Sequence, residues 1–176
     1  MILKIVTFPD PILRKKSIPV KEIDDKIKNL IDNMIDTMFA NKGLGLSAIQ
    51  VGVPLRLFIL DLNENKKDQE TEKKKENVKV FINPVLKNLQ EKFIMENEGC
   101  LSLPGVRENV ERFYKATIEA IDLNGEKFVM DAEGIVAVAF QHEYDHLEGK
   151  LFIDRLSPVK RKFLLKEYKK IHNAKK

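Results

Sequence analysis

The chain has 176 residues, 43% of them hydrophobic and 33% charged, which suits one globular domain with a sizeable core. No apolar run approaches the roughly 20 residues of a membrane-spanning helix, and the N-terminus lacks a signal-peptide layout, so a cytoplasmic protein with no membrane partner is expected. A single cysteine, Cys100, excludes an internal disulfide, and the net charge of +4 divides into +8 on residues 155–176 and −4 on the rest.

Three prolines over residues 9–20 predict an irregular opening that hugs the surface. The recurrence of Ile27, Leu30, Ile31, Met34, Ile35 and Met38 predicts a helix over 24–42, stopped by Gly43. Residues 55–60 read as a short strand, and residues 63–79, almost all polar or charged, as a mobile loop. Strands are expected at 80–82 and in parts of 85–96. Tyr114, Ala116, Ile118 and Ala120 alternate with polar residues in the pattern of a half-buried strand, and Asn124-Gly125 predicts a two-residue hairpin turn into a strand over 126–131. Residues 134–148 read as a second helix ending at Gly149. Ser157-Pro158 open a third, the basic helix over 157–176, which should pack through Phe163, Leu164, Tyr168 and Ile171. Strands and helices do not alternate strictly, so the fold class is α+β, with antiparallel or mixed sheets around the second helix.

That second helix carries Gln141-His142-Glu143-Tyr144-Asp145-His146, which uses two of the three histidines in an HExxH frame. Residues four apart share a helix face, so both imidazoles can reach one metal ion, with Glu143 beside a water held there. Two protein ligands leave a catalytic site short of a third. The extended pattern HExxHxxGxxH fails because its last position is Phe152. Glu167, some twenty residues downstream, would suit a zinc endopeptidase, although it stands among lysines; Glu148 and Asp154 have no supporting pattern. Upstream, Cys100 lies in Glu98-Gly99-Cys100-Leu101-Ser102, beside a turn expected over Ser102 to Gly105, and is the only soft ligand available. A non-catalytic RNA- or ribosome-binding module with a structural metal is the reading from another class, but no fourth ligand is evident for a closed site.

Glu98-Gly99-Cys100-Leu101-Ser102 together with Gln141-His142-Glu143-Tyr144-Asp145-His146-Leu147 resembles the peptide deformylase family. Gly43-Leu44-Gly45-Leu46-Ser47-Ala48-Ile49-Gln50 is similar to that family's GxGxAAxQ block, with Ser47 in place of the usual first alanine. The likeness covers nearly the whole chain, outside the 63–79 loop, as one deformylase-like domain.

The resemblance implies that Cys100, His142 and His146 bind one Fe(2+) ion, for which Zn, Ni or Co can substitute. Glu143 would act as general base and acid while a metal-held water attacks a formyl carbon. Gln50 and the Leu101 N–H would stabilise the oxyanion. Gly43, Leu44, Gly45, Arg107, Val138 and Ala139 would line the substrate site, with Gly45 allowing close approach of the substrate backbone. The implied partner is the N-formylmethionyl end of a nascent polypeptide, with no DNA. The basic C-terminal helix offers a ribosome contact.

Overall fold

Asp24 accepts the Ile27 N–H at 2.9 Å and so caps α1 (Asp25–Ala40), which buries the stripe Ile31, Met34, Ile35 and Met38. The helix ends two residues earlier than its apolar period suggests, and Gly43 N–H returns to the Met38 carbonyl at 2.9 Å. The computed structural model describes residues 1–62 and 75–173. The charged loop expected over 63–79 therefore lies largely outside the described residues; of it, Lys75–Asn77 form a 3₁₀ turn, and Val78 and Lys79 already belong to a strand.

Five strands form one antiparallel sheet in chain order: β1 (Gly45–Ser47), β2 (Leu57–Asp61), β3 (Val78–Cys100), β4 (Leu103–Ile121) and β5 (Lys127–Glu133). Sequence patterning breaks β3 into pieces, whereas the chain runs it as one 23-residue strand. The interruptions are bulges. Register shifts fall at Lys87/Gln90 and Met95/Glu98, where Asn88, Glu91 and Asn97 take positive φ and bend the ribbon without ending it. The turn expected over 102–105 is also corrected, because Leu103 to Gly105 are already strand and only Leu101 and Ser102 turn the chain. At the β4–β5 hairpin the loop is Leu123-Asn124-Gly125 rather than two residues. Asp122 N–H bonds the Glu126 carbonyl at 2.9 Å, and Gly125 supplies the left-handed position at φ +84°.

β1 and β2 pack against α1 through Leu46, Leu57 and Ile59. On the other side α2 (Gly134–Leu147) is buried along most of its length, with Val136, Ala137 and Phe140 set against Phe58, Phe81 and Ile118. The Phe58 and Phe81 rings stack at 4.7 Å, and Phe140 meets Phe81 edge-on at 5.4 Å. The helix is thus held on a rigid aromatic base, which is what its site residues need.

A third cluster joins Leu13, Leu103 and Phe152 to Leu164 and Tyr168 of α3 (Pro158–Asn173). Tyr168 Oη donates to the Phe8 carbonyl at 2.8 Å. Ile171 packs on this cluster as expected, but Phe163 does not; it is 67% exposed. No helix among the described residues is long and apolar enough to cross a membrane.

Gly149 ends α2 at φ +71°, and a Cβ there would stand 2.5 Å from the Arg14 carbonyl oxygen. Both backbone strain and a backbone clash oppose any side chain. Gly149→Ala is expected to lower stability by more than about 1 kcal/mol, read as a reduced urea midpoint. An unchanged midpoint would contradict this packing.

Candidate metal centre

Cys100 closes β3, and His142 and His146 stand one turn apart on α2. One nitrogen from each ring and the Cys100 sulfur lie within 4.8 Å of one another, with Sγ 3.3 Å from His146 Nε2. His142 turns Nδ1 to Glu98 at 2.7 Å, which leaves Nε2 for the cluster. His146 is fully buried, and its Nδ1 has no hydrogen bond. A thiol and two imidazoles gathered in a buried spot suit a divalent ion of borderline softness.

The competing third ligands are engaged elsewhere. Glu148 pairs with Lys16 at 3.0 Å and Arg56 at 2.6 Å, and Asp154 pairs with Arg14 and Arg161. Glu167 is on an exposed face of α3 and takes no part in the cluster.

Behind His142 sits a buried ion network. Arg112 donates to both Glu98 oxygens, at 3.0 and 2.6 Å, and to Asp145 Oδ2 at 2.8 Å, while Arg155 adds a two-pronged contact to Asp145. Burial opposes charge on Glu98, yet hydrogen bonds from His142 and Arg112 prevail and hold its pKa down to about 2. For His142 burial acts downward, but Cys100 and Glu98 outweigh it and hold the imidazole well above its usual value. His146 is held well below that value by burial and by the positive charge of its neighbours.

Glu143 is buried one residue after His142. Ser47 Oγ donates to its Oε2 at 2.6 Å. Burial raises the Glu143 pKa against the pull of His142 and Ser47. Gln50 follows β1 in a 3₁₀ turn (Ala48–Val51), and its Oε1 accepts the Ser47 N–H at 2.9 Å. That bond presents Nε2 to Ser102 Oγ at 3.2 Å and Cys100 Sγ at 3.6 Å.

A cleft of about 620 Å³ opens over this group. It is lined by Gly43, Leu44 and Gly45 on one side, Leu101 and Arg107 on another, and Val138 and Ala139 from α2, so the expected site residues converge. Gly45 lines this cleft and also packs tightly on α2. A Cβ there would stand 2.5 Å from Leu60 Cδ2 and 2.7 Å from Glu143 Oε1, so glycine makes room for the carboxylate. Arg107 lies across Gly99 and donates to the Asn97 carbonyl at 3.0 Å rather than joining a surface carboxylate.

A sequence profile for "Polypeptide deformylase" matches residues 2–162. The chain is 47% identical to the peptide deformylase of Azotobacter vinelandii and 46% identical to that of Pseudomonas aeruginosa, covering 97% of this chain and 96% of each relative. The chain belongs to the peptide deformylase family. The crystal structure of a peptide deformylase from Legionella pneumophila superposes with a TM-score of 0.88 at 38% identity, over 99% of this chain and 98% of that one. A second, from Ehrlichia chaffeensis, gives 0.88 at 36% identity over 99% of both chains. Its deformylase relatives are enzymes, and so is this chain; the Cys100, His142 and His146 cluster fits the metalloenzyme character of the family.

In the sequence Glu98 and Asp145 stand only as letters within two deformylase motifs, and Arg112 belongs to no motif. Arg112 meets Glu98 only through the bulged pairing of β3 with β4, which no local pattern reveals. Met95, Asn97 and Ile135 also line the cleft without a motif to announce them.

The Glu98 pKa is lowered on folding, so its contribution to stability is full above the unfolded value of about 4.5 and is lost as pH falls toward about 2. Glu98→Gln is therefore expected to cost a few kcal/mol at pH 7, about 3 by linkage. The gap to wild type should narrow through that acid window in chemical denaturation measured at several pH values. A constant gap would show that Glu98 does not titrate as argued.

Proposed function

We propose that this chain hydrolyses the formamide of N-formylmethionyl ends on newly made polypeptides, releasing formate and a free amine. The observation that carries the reading is the meeting of Cys100, His142, Glu143 and Gln50 along one cleft, with the buried His146 within 4.8 Å of the Cys100 and His142 ligand atoms. Relatives at 46–47% identity that are peptide deformylases support it.

Cys100, His142 and His146 would hold the ion, proposed to be Fe(2+), with Zn, Ni or Co able to substitute. A divalent ion there supplies Lewis acidity, making water a better nucleophile and drawing charge from a carbonyl oxygen. The remaining work belongs to side chains and backbone of this chain. Glu143 takes a proton from the attacking water as the new C–O bond forms, then returns it to the departing nitrogen as the C–N bond breaks. Gln50 Nε2, fixed by its own Oε1 on Ser47, donates to the oxyanion, and the Leu101 N–H is the second donor. Leu44, Val138 and Ala139 give an apolar wall for a methionine side chain, and Gly43, Gly45 and Arg107 flank the peptide that follows.

On this reading residues 1–176 act as one catalytic domain working on nascent chains in the cytoplasm. The basic face of α3 serves for ribosome contact. Arg161, Lys162, Lys166 and Lys169 line a groove with Leu156, Pro158 and Leu165. Reversing Lys162, Lys166 and Lys169 to Glu, which spares the buried Leu164 and Tyr168, should weaken ribosome cosedimentation at least tenfold at low salt while leaving formate release intact. Equal cosedimentation would remove this contact from the proposal.

The enzymatic reading is tested by formate release from formyl-Met-Ala-Ser. Metal-loaded wild type should turn over; Glu143→Ala should lose at least about 100-fold; Cys100→Ser should lose metal, and Glu167→Ala should keep both metal and activity. The iron-loaded form should lose activity in air and keep it anaerobically, whereas the nickel form should survive both. A metal-loaded wild type that releases no formate would defeat the proposal.

A further inference from the structure

Ser47 occupies the position where the family usually has alanine, and its hydroxyl reaches the one carboxylate on which the proposed chemistry turns. Ser47 is fully buried and Glu143 is 4% exposed, so no bulk water competes for their contact. The 2.6 Å distance is that of a short, charge-assisted O–H···O⁻ bond. The other carboxylate oxygen, Oε1, lies against Gly45, a residue lining the cleft.

The two Glu143 oxygens therefore have different surroundings. Oε2 takes the Ser47 hydroxyl, and Oε1 lies against Gly45, which lines the cleft. We infer that Ser47 is a positioning residue for Glu143, its hydroxyl anchoring Oε2 so that Oε1 is held ready for the proton it takes and returns. The same residue holds Gln50, its backbone N–H donating to Gln50 Oε1 at 2.9 Å. Any residue but proline supplies that second bond, whereas the anchor on Glu143 belongs to the serine side chain alone. A carboxylate freed from the anchor samples more rotamers, and a proton acceptor loses efficiency steeply with misplacement.

This inference rests on the deformylase reading above. A purely structural role is the alternative, because Ser47 Oγ also lies 3.2 Å from the Glu143 carbonyl and could merely tie β1 to α2. The two are separated by Ser47→Ala in two backgrounds, wild type and Glu143→Asp, whose shorter side chain withdraws the carboxylate from the hydroxyl but leaves the carbonyl in place. Alanine is smaller than serine and usual in the family here, so the variant should fold, with a thermal midpoint near wild type.

In the wild-type background Ser47→Ala is expected to lower kcat for formyl-Met-Ala-Ser about 3- to 10-fold, with KM and bound metal per chain unchanged. In the Glu143→Asp background the same change should lower kcat less than about 1.5-fold. An unchanged kcat, a loss confined to KM, a loss in step with metal, or an equal loss in both backgrounds would overturn the inference. No formate release by metal-loaded wild type would instead defeat the deformylase reading itself, so the two failures are told apart.

Discussion

The Arg112 guanidinium, shared between Glu98 and Asp145 in the interior, is the contact on which the site depends. Its three hydrogen bonds join the end of β3 to α2, the two elements that carry Cys100 and the histidine pair. All three groups are almost wholly withdrawn from water, a costly arrangement unless each donor and acceptor is met. Here the demands are met: Glu98 also receives His142, and Asp145 also receives Arg155. Such a network does little for net stability compared with apolar packing, but it penalises any other placement of its members. His142 gains a fixed ring direction from it, with Nδ1 held on Glu98 at 2.7 Å.

A second constraint is steric. Glu143 occupies the volume that a Cβ on Gly45 would take, and Leu60 fills the rest. The glycine-rich block and the HExxH helix are therefore cut to fit one another. Ser47 and Gln50 continue that fit along the same segment, one through a hydroxyl and the other through an amide locked on the Ser47 N–H. The aromatic stack of Phe58, Phe81 and Phe140 keeps α2 from shifting against this edge. Core packing and site geometry are in this sense one problem, since a small slide of α2 would move His142, Glu143 and His146 together.

The elements legible in the sequence were those with a strong local signal. The 3.6-residue period of α1 and the Ser157-Pro158 start of α3 both answer to neighbours within one turn. The long strands were not legible as such, because the β3 bulges place polar residues and positive φ angles where a strand pattern ought to continue. Hydrophobicity alone places Phe163 among the packing residues of α3, yet the helix has only one buried edge, and Leu164 and Tyr168 take it. The site residues were found because motifs are short and local. Arg112 was not, because its partners lie fourteen and thirty-three positions away.

By itself the sequence determined the chemical inventory: an HExxH pair, one cysteine, a glycine-rich block ending in Gln50, and a basic C-terminal helix. These depend on residue identity and on spacing within a helix turn or a loop, which the chain carries wherever it folds. Only the tertiary structure decided that Cys100 rather than Glu167 joins the histidines, that Gly45 shelters Glu143, and that Ser47 reaches its carboxylate. Each of those outcomes is a contact between segments some forty to a hundred residues apart. Their approach is set by sheet register and by packing on α2, and neither quantity is written in any local stretch of the chain.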